Sequence, residues 1–319
     1  MLNFFKEANT YQIIVWAIIV AGTIFSIFPP DALFFKIGAK FAIQIMFAYL
    51  ALSFIFLFVG DQKTMFISLG CCAILCLFLR IGAATAFAPK LDKGNPYLSM
   101  ATFNLGNSDD DFDSTFNMIL SSNADLIALQ EVNPDWHNYI KNNPYVEKYY
   151  PYDTSLVRMD FLGMTILSKY KFLKIDTFHY EHIPNFIGCI QHDSLDEKIY
   201  FISSHTTPPV SLKAYESIRR HLEQVADTVK TINDPIFALG DYQVVPWSDE
   251  ILSFRQKANL EDSRRNIPTS YFPHDHIFFS KQFECIELLS IGSQRTTHLG
   301  IVGKYQRKKN EAITTETIE

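Results

Sequence analysis

The chain has 319 residues, 48% of them hydrophobic, and a formal net charge of −6. Five of its 28 basic and three of its 34 acidic residues precede Lys90, which leaves 23 and 31 for the remainder, a net of −8. An acidic domain lacks the Lys and Arg excess that neutralises a polyanionic duplex, which argues against general nucleic-acid binding; the five cysteines, three of them in apolar sequence, give neither a disulfide framework nor a zinc spacing.

The overall mean hydropathy of +0.04 conceals an uneven distribution. Three apolar runs crowd the first ninety residues, about 11–28, 41–59 and 65–88. Each approaches or reaches the roughly 20 residues a helix needs to cross the hydrocarbon layer. The first two are uncharged; Arg80 in the third can extend its stem to the headgroups. A cleaved leader is disfavoured, because the first run ends in Phe28-Pro29-Pro30 rather than a small-residue cleavage site. Residues 1–89 are therefore expected to form an anchor of three transmembrane helices in a plasma or bacterial inner membrane, with the bilayer as partner. Three spans put Lys6 and Lys63 on one side and Lys36, Lys40, Lys90 and Lys93 on the other, a count that favours a cytoplasmic soluble domain.

A polar linker follows over 90–96, then a mixed domain over 97–306 and a polar tail, expected to be disordered, over 307–319. Strands are predicted at 97–103, 126–129, 163–167, 186–190, 199–203, 236–239, 277–279 and 301–305. A helix is expected near Phe112. Tyr215, Ile218, Leu222, Val225 and Val229 recur at helical spacing behind Ser211 as N-cap, and another helix begins at Pro246-Trp247-Ser248 with acids in its first turn.

Polar clusters close these strands: TFNLG at 102–106, LQEV at 129–132, SSHTTPP at 203–209, GDYQ at 240–243, HDHI at 274–277 and TTHLG at 296–300. Singly, Asn104 reads as a turn residue and His205 as a satisfied histidine. In this order, with GMTILSK at 163–169 and PWSD at 246–249, the set resembles the endonuclease/exonuclease/phosphatase superfamily. The resemblance implies a mixed α/β (α+β) chain, with N-terminal transmembrane helices followed by a two-sheet β-sandwich flanked by helices. It also implies a divalent-metal-dependent hydrolase of phosphate esters, of phosphodiesterase, nuclease or phosphatase type.

By the same resemblance, Glu131 is the principal ligand of Mg²⁺ (or Mn²⁺), with Asn104 beside it and Asp241 as a further candidate ligand. His205 and His298 bind the scissile phosphate, Asp241 orients or deprotonates the attacking water, and Asp275 pairs with His298. Two positions depart from the family pattern. Gln243 stands where an Asn is usual, moving a phosphate-side amide out by one methylene, and Thr297 stands where a carboxylate is usual. Those departures motivate the alternative, a catalytically weakened or inactive domain serving as a membrane-tethered binding module. Substrates compatible with the resemblance are a small molecule, a lipid headgroup or a nucleic acid.

Overall fold

The computed structural model describes residues 8–82, 92, 94–106, 111–264, 274–292 and 300–308. Three helices are long and apolar enough to cross a membrane: α1 (Thr10–Ile27), α3 (Ala42–Val59) and α4 (Gln62–Gly82). Position 83–88 of the third expected span lies outside the described residues. Side-chain donors at the helix ends join the bundle. Asn9 and Gln12 cap α1 reciprocally, while Gln12 Nε2 also donates to Asp61 at 3.0 Å and Trp16 Nε1 to Thr64 Oγ1 at 2.9 Å. Inside an apolar medium such pairing matters, because a polar group left without a partner is costly there.

Between α1 and α3 lies a short helix that the sequence reading did not anticipate, α2 (Leu33–Lys40). Pro29 and Pro30 end α1, since proline lacks the N–H that a continuing helix requires. Leu33 then packs on the helical layer of the following domain, while Phe34 is 80% exposed.

The domain is a sandwich of two six-stranded sheets. The first runs in the order β11 (Phe283–Ile291), β12 (Gly300–Arg307), β1 (Tyr97–Asn104), β2 (Leu126–Gln130), β4 (Met164–Ser168), β3 (Tyr152–Leu156). The second runs β5 (Phe172–Tyr180), β6 (Ile183–His192), β7 (Glu197–Ser204), β8 (Ile236–Asp241), β10 (Asp275–Ser280), β9 (Leu260–Asp262). Within each sheet one neighbouring pair, β1 with β2 and β7 with β8, is parallel. Every strand expected from the sequence is present. The four not expected, β3, β5, β9 and β11, lie at the sheet margins. β12 continues through Arg307, the first residue of the expected tail, and Arg307 reaches Glu197 at 3.0 Å.

Alternation along the strands separates two environments. Leu98 and Met100, Leu126 and Ala128, Ile199 and Phe201, Phe237 and Leu239, and Ile277 and Phe279 point into the core between the sheets. Residues of opposite parity meet the helices. Ala101, Phe103, Ile127 and Leu129 pack against α5 (Phe112–Ser121) and α6 (Pro134–Lys141), with α7 (Pro144–Tyr149) close by. Ile202, Ala238 and Phe278 pack against α8 (Leu212–Lys230) and α9 (Asp249–Ala258). Ser211 and Ser248 cap α8 and α9 as expected, accepting from Ala214 N and Ile251 N.

Candidate active site

The inner row of each central strand ends in a polar residue. Asn104 follows Leu98 and Met100 at the same parity, His205 follows Ile199 and Phe201, Asp241 follows Phe237 and Leu239, and Asp275 precedes Ile277 and Phe279. Because the side-chain period is two, the alternation that fills the core also gathers these groups at one end of it. Asp241 and Asp275 are direct cross-strand partners on β8 and β10.

Glu131 breaks that parity. Gln130 points inward, donating no side chain to solvent and accepting from Thr102 Oγ1 at 3.1 Å, so a regular strand would turn Glu131 outward. Its φ of 59° is left-handed, an unusual conformation for a residue with a Cβ, and the carboxylate is brought to Asn104. Asn104 Nδ2 donates to Glu131 Oε1 at 2.7 Å and to Asp241 Oδ2 at 2.9 Å, and Gly106 N donates to Asn104 Oδ1 at 2.8 Å. One amide thus holds two carboxylates together. A Cβ at Gly106 would collide with the Glu131 carboxylate, so glycine at 106 lets that acid lie close against the loop after β1. Gly240, at φ 148°, lies against the Ser204 carbonyl, where a Cβ would also collide; the glycine lets β8 approach the end of β7.

Gln243 also has a left-handed backbone, with φ 57°. Its backbone N donates to Asp241 Oδ1 at 2.9 Å and its Nε2 to Asp241 Oδ2 at 2.9 Å. The additional methylene is absorbed by the turn, and the amide folds back onto the acid. Three N–H groups therefore fix the Asp241 carboxylate, which is fully buried.

His205 is buried beside this pair. Its Nδ1 lies 3.1 Å from the Asp241 backbone carbonyl, an acceptor that assigns the proton to Nδ1. Nε2 then faces Glu131 Oε1 at 3.5 Å and makes no hydrogen bond among the described residues. The Phe161 ring stands edge-on to the imidazole at 6.4 Å.

Burial pushes the Asp275 carboxyl well above the usual carboxylate range, and the charge of Asp241 adds to the effect while Arg264 opposes it. Its Oδ1 is buried and has no hydrogen-bond partner among the described residues. Thr297 and His298, the expected partner of Asp275, lie outside those residues.

His276, next to Asp275, points to the other side of the sheet. Its ring lies nearly parallel to those of Tyr242 and Phe278, with centroids 5.6 and 5.2 Å away; Nε2 is 2.9 Å from the Val244 carbonyl and Nδ1 3.4 Å from Arg264 Nη1. Burial first, then the Arg264 charge, hold it well below the usual imidazole range. It is a neutral strut between the two strand ends. Arg264 and Phe161 adjoin the site without any sequence motif that marks them, whereas Tyr242 lies inside the GDYQ cluster.

Among the described residues no three His, Cys, Asp or Glu side chains form a closed metal cage. What converges is hard oxygen: the Glu131 carboxylate, which lies where a Cβ at 106 would stand, and Asp241, joined to it through the Asn104 amide. Such a donor set fits a cation that binds through one or two carboxylates and keeps its remaining positions for water and phosphate oxygens, as Mg²⁺ does.

A two-sheet sandwich with helices outside, carrying paired acids, an imidazole and an amide at one end of its core, is the architecture of a metal-assisted phosphoesterase fold. The model of the Endonuclease/Exonuclease/phosphatase family matches residues 101–291, more than half the chain. The chain belongs to that family, whose members are phosphoesterases and nucleases. Solved structures agree in fold. TDP2 of D. rerio complexed with single strand DNA product aligns with TM-score 0.54 at 16% identity, over 66% of this chain and 100% of that one. A Bacteroides vulgatus member of the family aligns with TM-score 0.54 at 15% identity, over 67% and 100%. The human Nocturnin catalytic domain aligns with TM-score 0.54 at 14% identity, over 69% and 97%. No curated protein matches the sequence significantly.

Proposed function

We propose that this protein is a membrane-anchored hydrolase of phosphate esters that depends on Mg²⁺ or Mn²⁺. The observation that carries the reading is the hydrogen-bonded meeting of Glu131, Asn104 and Asp241 beside the Nε2 of His205, which faces them without a hydrogen-bond partner among the described residues. A divalent cation at Glu131 supplies charge neutralisation for the transferring phosphoryl group. Asp241, held in one orientation by the Asn104 and Gln243 amides, orients the attacking water and accepts its proton. His205, fixed through Nδ1, presents Nε2 to a phosphate oxygen. Asp275 supports His298 as a second imidazole. Asn104 sets the separation of the two acids, and Gln243 acts on the substrate through Asp241. The three apolar helices provide the anchor, with the catalytic domain on the side of α2.

The test uses the full chain in detergent micelles with bis(p-nitrophenyl) phosphate. Hydrolysis should require Mg²⁺ or Mn²⁺, stop with EDTA, and fall by ~10²–10⁴ in Asp241→Asn and in Glu131→Ala. Binding without turnover, or activity equal to the parent in both variants, would overturn the assignment and favour the binding module.

A further inference from the structure

The loop that leaves the catalytic strand enters the membrane bundle. From Asp241 the chain runs through Val244 to Val245 and Trp247, and these last two are buried with Ile19, Met46 and Leu75 of α1, α3 and α4. Trp247 Nε1 donates to the Ala39 carbonyl of α2 at 2.9 Å. Lys36 of α2 lies 3.3 Å from Glu250 and 3.5 Å from Asp249 at the start of α9. The Lys40 ammonium sits 5.7 Å above the ring of Tyr215, near the start of α8, the helix that follows the His205 loop. Both strand ends that supply Asp241 and His205 are therefore tied to one end of the bundle. Fully extended, the chain from Asp241 to Trp247 reaches ~20 Å at most, so the site lies within that distance of the hydrophobic cluster of the anchor.

Two loops that adjoin the site carry exposed apolar side chains. Met159, in the loop between β3 and β4 that also carries Phe161 to His205, is 87% exposed, and Val210, in the loop after His205, is 78% exposed. Leu212 is partly exposed and shares a face of α8 with Tyr215, three residues on. On α2, which is tied to the starts of α8 and α9, Phe34 is exposed as well. Exposed apolar side chains on loops that adjoin a polar site mark a surface that another apolar phase covers. The adjoining phase is the bilayer around α1, α3 and α4.

We infer that the substrate is a membrane lipid carrying a phosphate ester, taken from the leaflet next to α2 with its apolar portion against Met159 and Val210. This rests on the hydrolase reading above. In the reaction the water oxygen bonds to phosphorus and the ester P–O bond breaks. One water proton passes to Asp241 and a proton is returned to the leaving alkoxide, so no oxidant or second reactant is needed. The acidic domain agrees with a substrate that presents one phosphate at a time rather than a polyanion.

The full chain is reconstituted into phosphatidylcholine nanodiscs with Mg²⁺ and offered three kinds of probe in parallel. These are bis(p-nitrophenyl) phosphate, a single-stranded oligonucleotide, and phosphatidylglycerol, phosphatidic acid or an isoprenyl phosphate incorporated into the nanodisc bilayer itself. One of the lipids should be cleaved at a kcat/KM at least tenfold above that for the oligonucleotide. In Met159→Ser with Val210→Ser the lipid rate should fall about tenfold, since burying one such side chain contributes a factor of this order, while the aryl ester rate stays within about twofold. Cleavage of the aryl ester with no lipid cleaved, preference for the oligonucleotide, or equal losses on both substrates in the double variant would each overturn the lipid assignment while leaving the hydrolase reading intact. No cleavage of any probe would overturn the hydrolase reading itself.

Discussion

The two ends of the sandwich each set a histidine near a buried acid, yet the arrangements differ in where their hydrogen-bonding capacity goes. At the end remote from the candidate site, Asp125 takes the backbone N–H and the hydroxyl of Ser99 at 2.8 and 2.7 Å, and Lys169 stands 3.5 Å away. His192, 3.9 Å from the acid, uses Nδ1 to accept from Leu195 N at 3.1 Å. Burial alone would raise the Asp125 carboxyl, but His192, Ser99 and Lys169 more than offset it and hold it below its ordinary range. The acid is directed at backbone and ties the starts of β1 and β2 together. At the candidate site the amides hold the acids against one another, and the His205 Nε2 faces them without a hydrogen bond among the described residues. An acid and a histidine in proximity do not define a site; the two ends differ in what holds the acid, the backbone and hydroxyl of Ser99 at one and side-chain amides shared with a second carboxylate at the other.

Substitutions that separate the two ends test this contrast. The largest effect belongs to Asp241→Asn, with kcat lower by ~10²–10⁴ and a melting temperature within a few degrees of the parent. Asp125→Ala should do the reverse. Leaving the Ser99 donors buried without an acceptor costs ~1–3 kcal/mol, visible as a melting temperature lower by several degrees with kcat per folded molecule unchanged. Gln243→Asn retains the backbone bond to Asp241 but withdraws the side-chain amide, and a roughly tenfold loss of kcat at constant stability is expected, since a hydrogen bond to a charged group contributes ~1.5–3 kcal/mol. An undiminished rate in that variant would remove Gln243 from the site.

The smallest effect concerns His221, buried under the catalytic half, with Nε2 2.8 Å from Asn185 Oδ1 and its ring stacked on Tyr180. Burial, then the neighbouring His205, lower it from 6.5 to about 3. Folded His221 thus stays neutral while the unfolded chain takes up a proton below about 6.5. Its contribution to stability is complete above that pH and is lost as the pH falls towards 3. Urea unfolding at a series of pH values should show a shallower acid slope in His221→Gln than in the parent.

The order of the polar clusters at the ends of the predicted strands was legible in the sequence, whereas the shared inward row of Asn104, His205, Asp241 and Asp275 emerged only once the core-facing parity of each strand was known. The three apolar runs were legible as well, since composition over some twenty residues is a local property. Marginal strands such as β3 and β5 were not, because their mixed burial gives no clean alternation and pairing with a distant neighbour defines them.

Tertiary structure alone decided three further things. The left-handed turn at Glu131 swings that acid against the parity of its strand to meet Asn104. A second such turn folds Gln243 back onto Asp241, so that the departure from the family pattern becomes a support for the acid. The packing of Val245 and Trp247 among the three apolar helices brings the candidate site close to them. Periodicity and composition report what each segment prefers by itself, whereas a strained backbone angle or a contact across two hundred residues persists only because the assembled surroundings hold it.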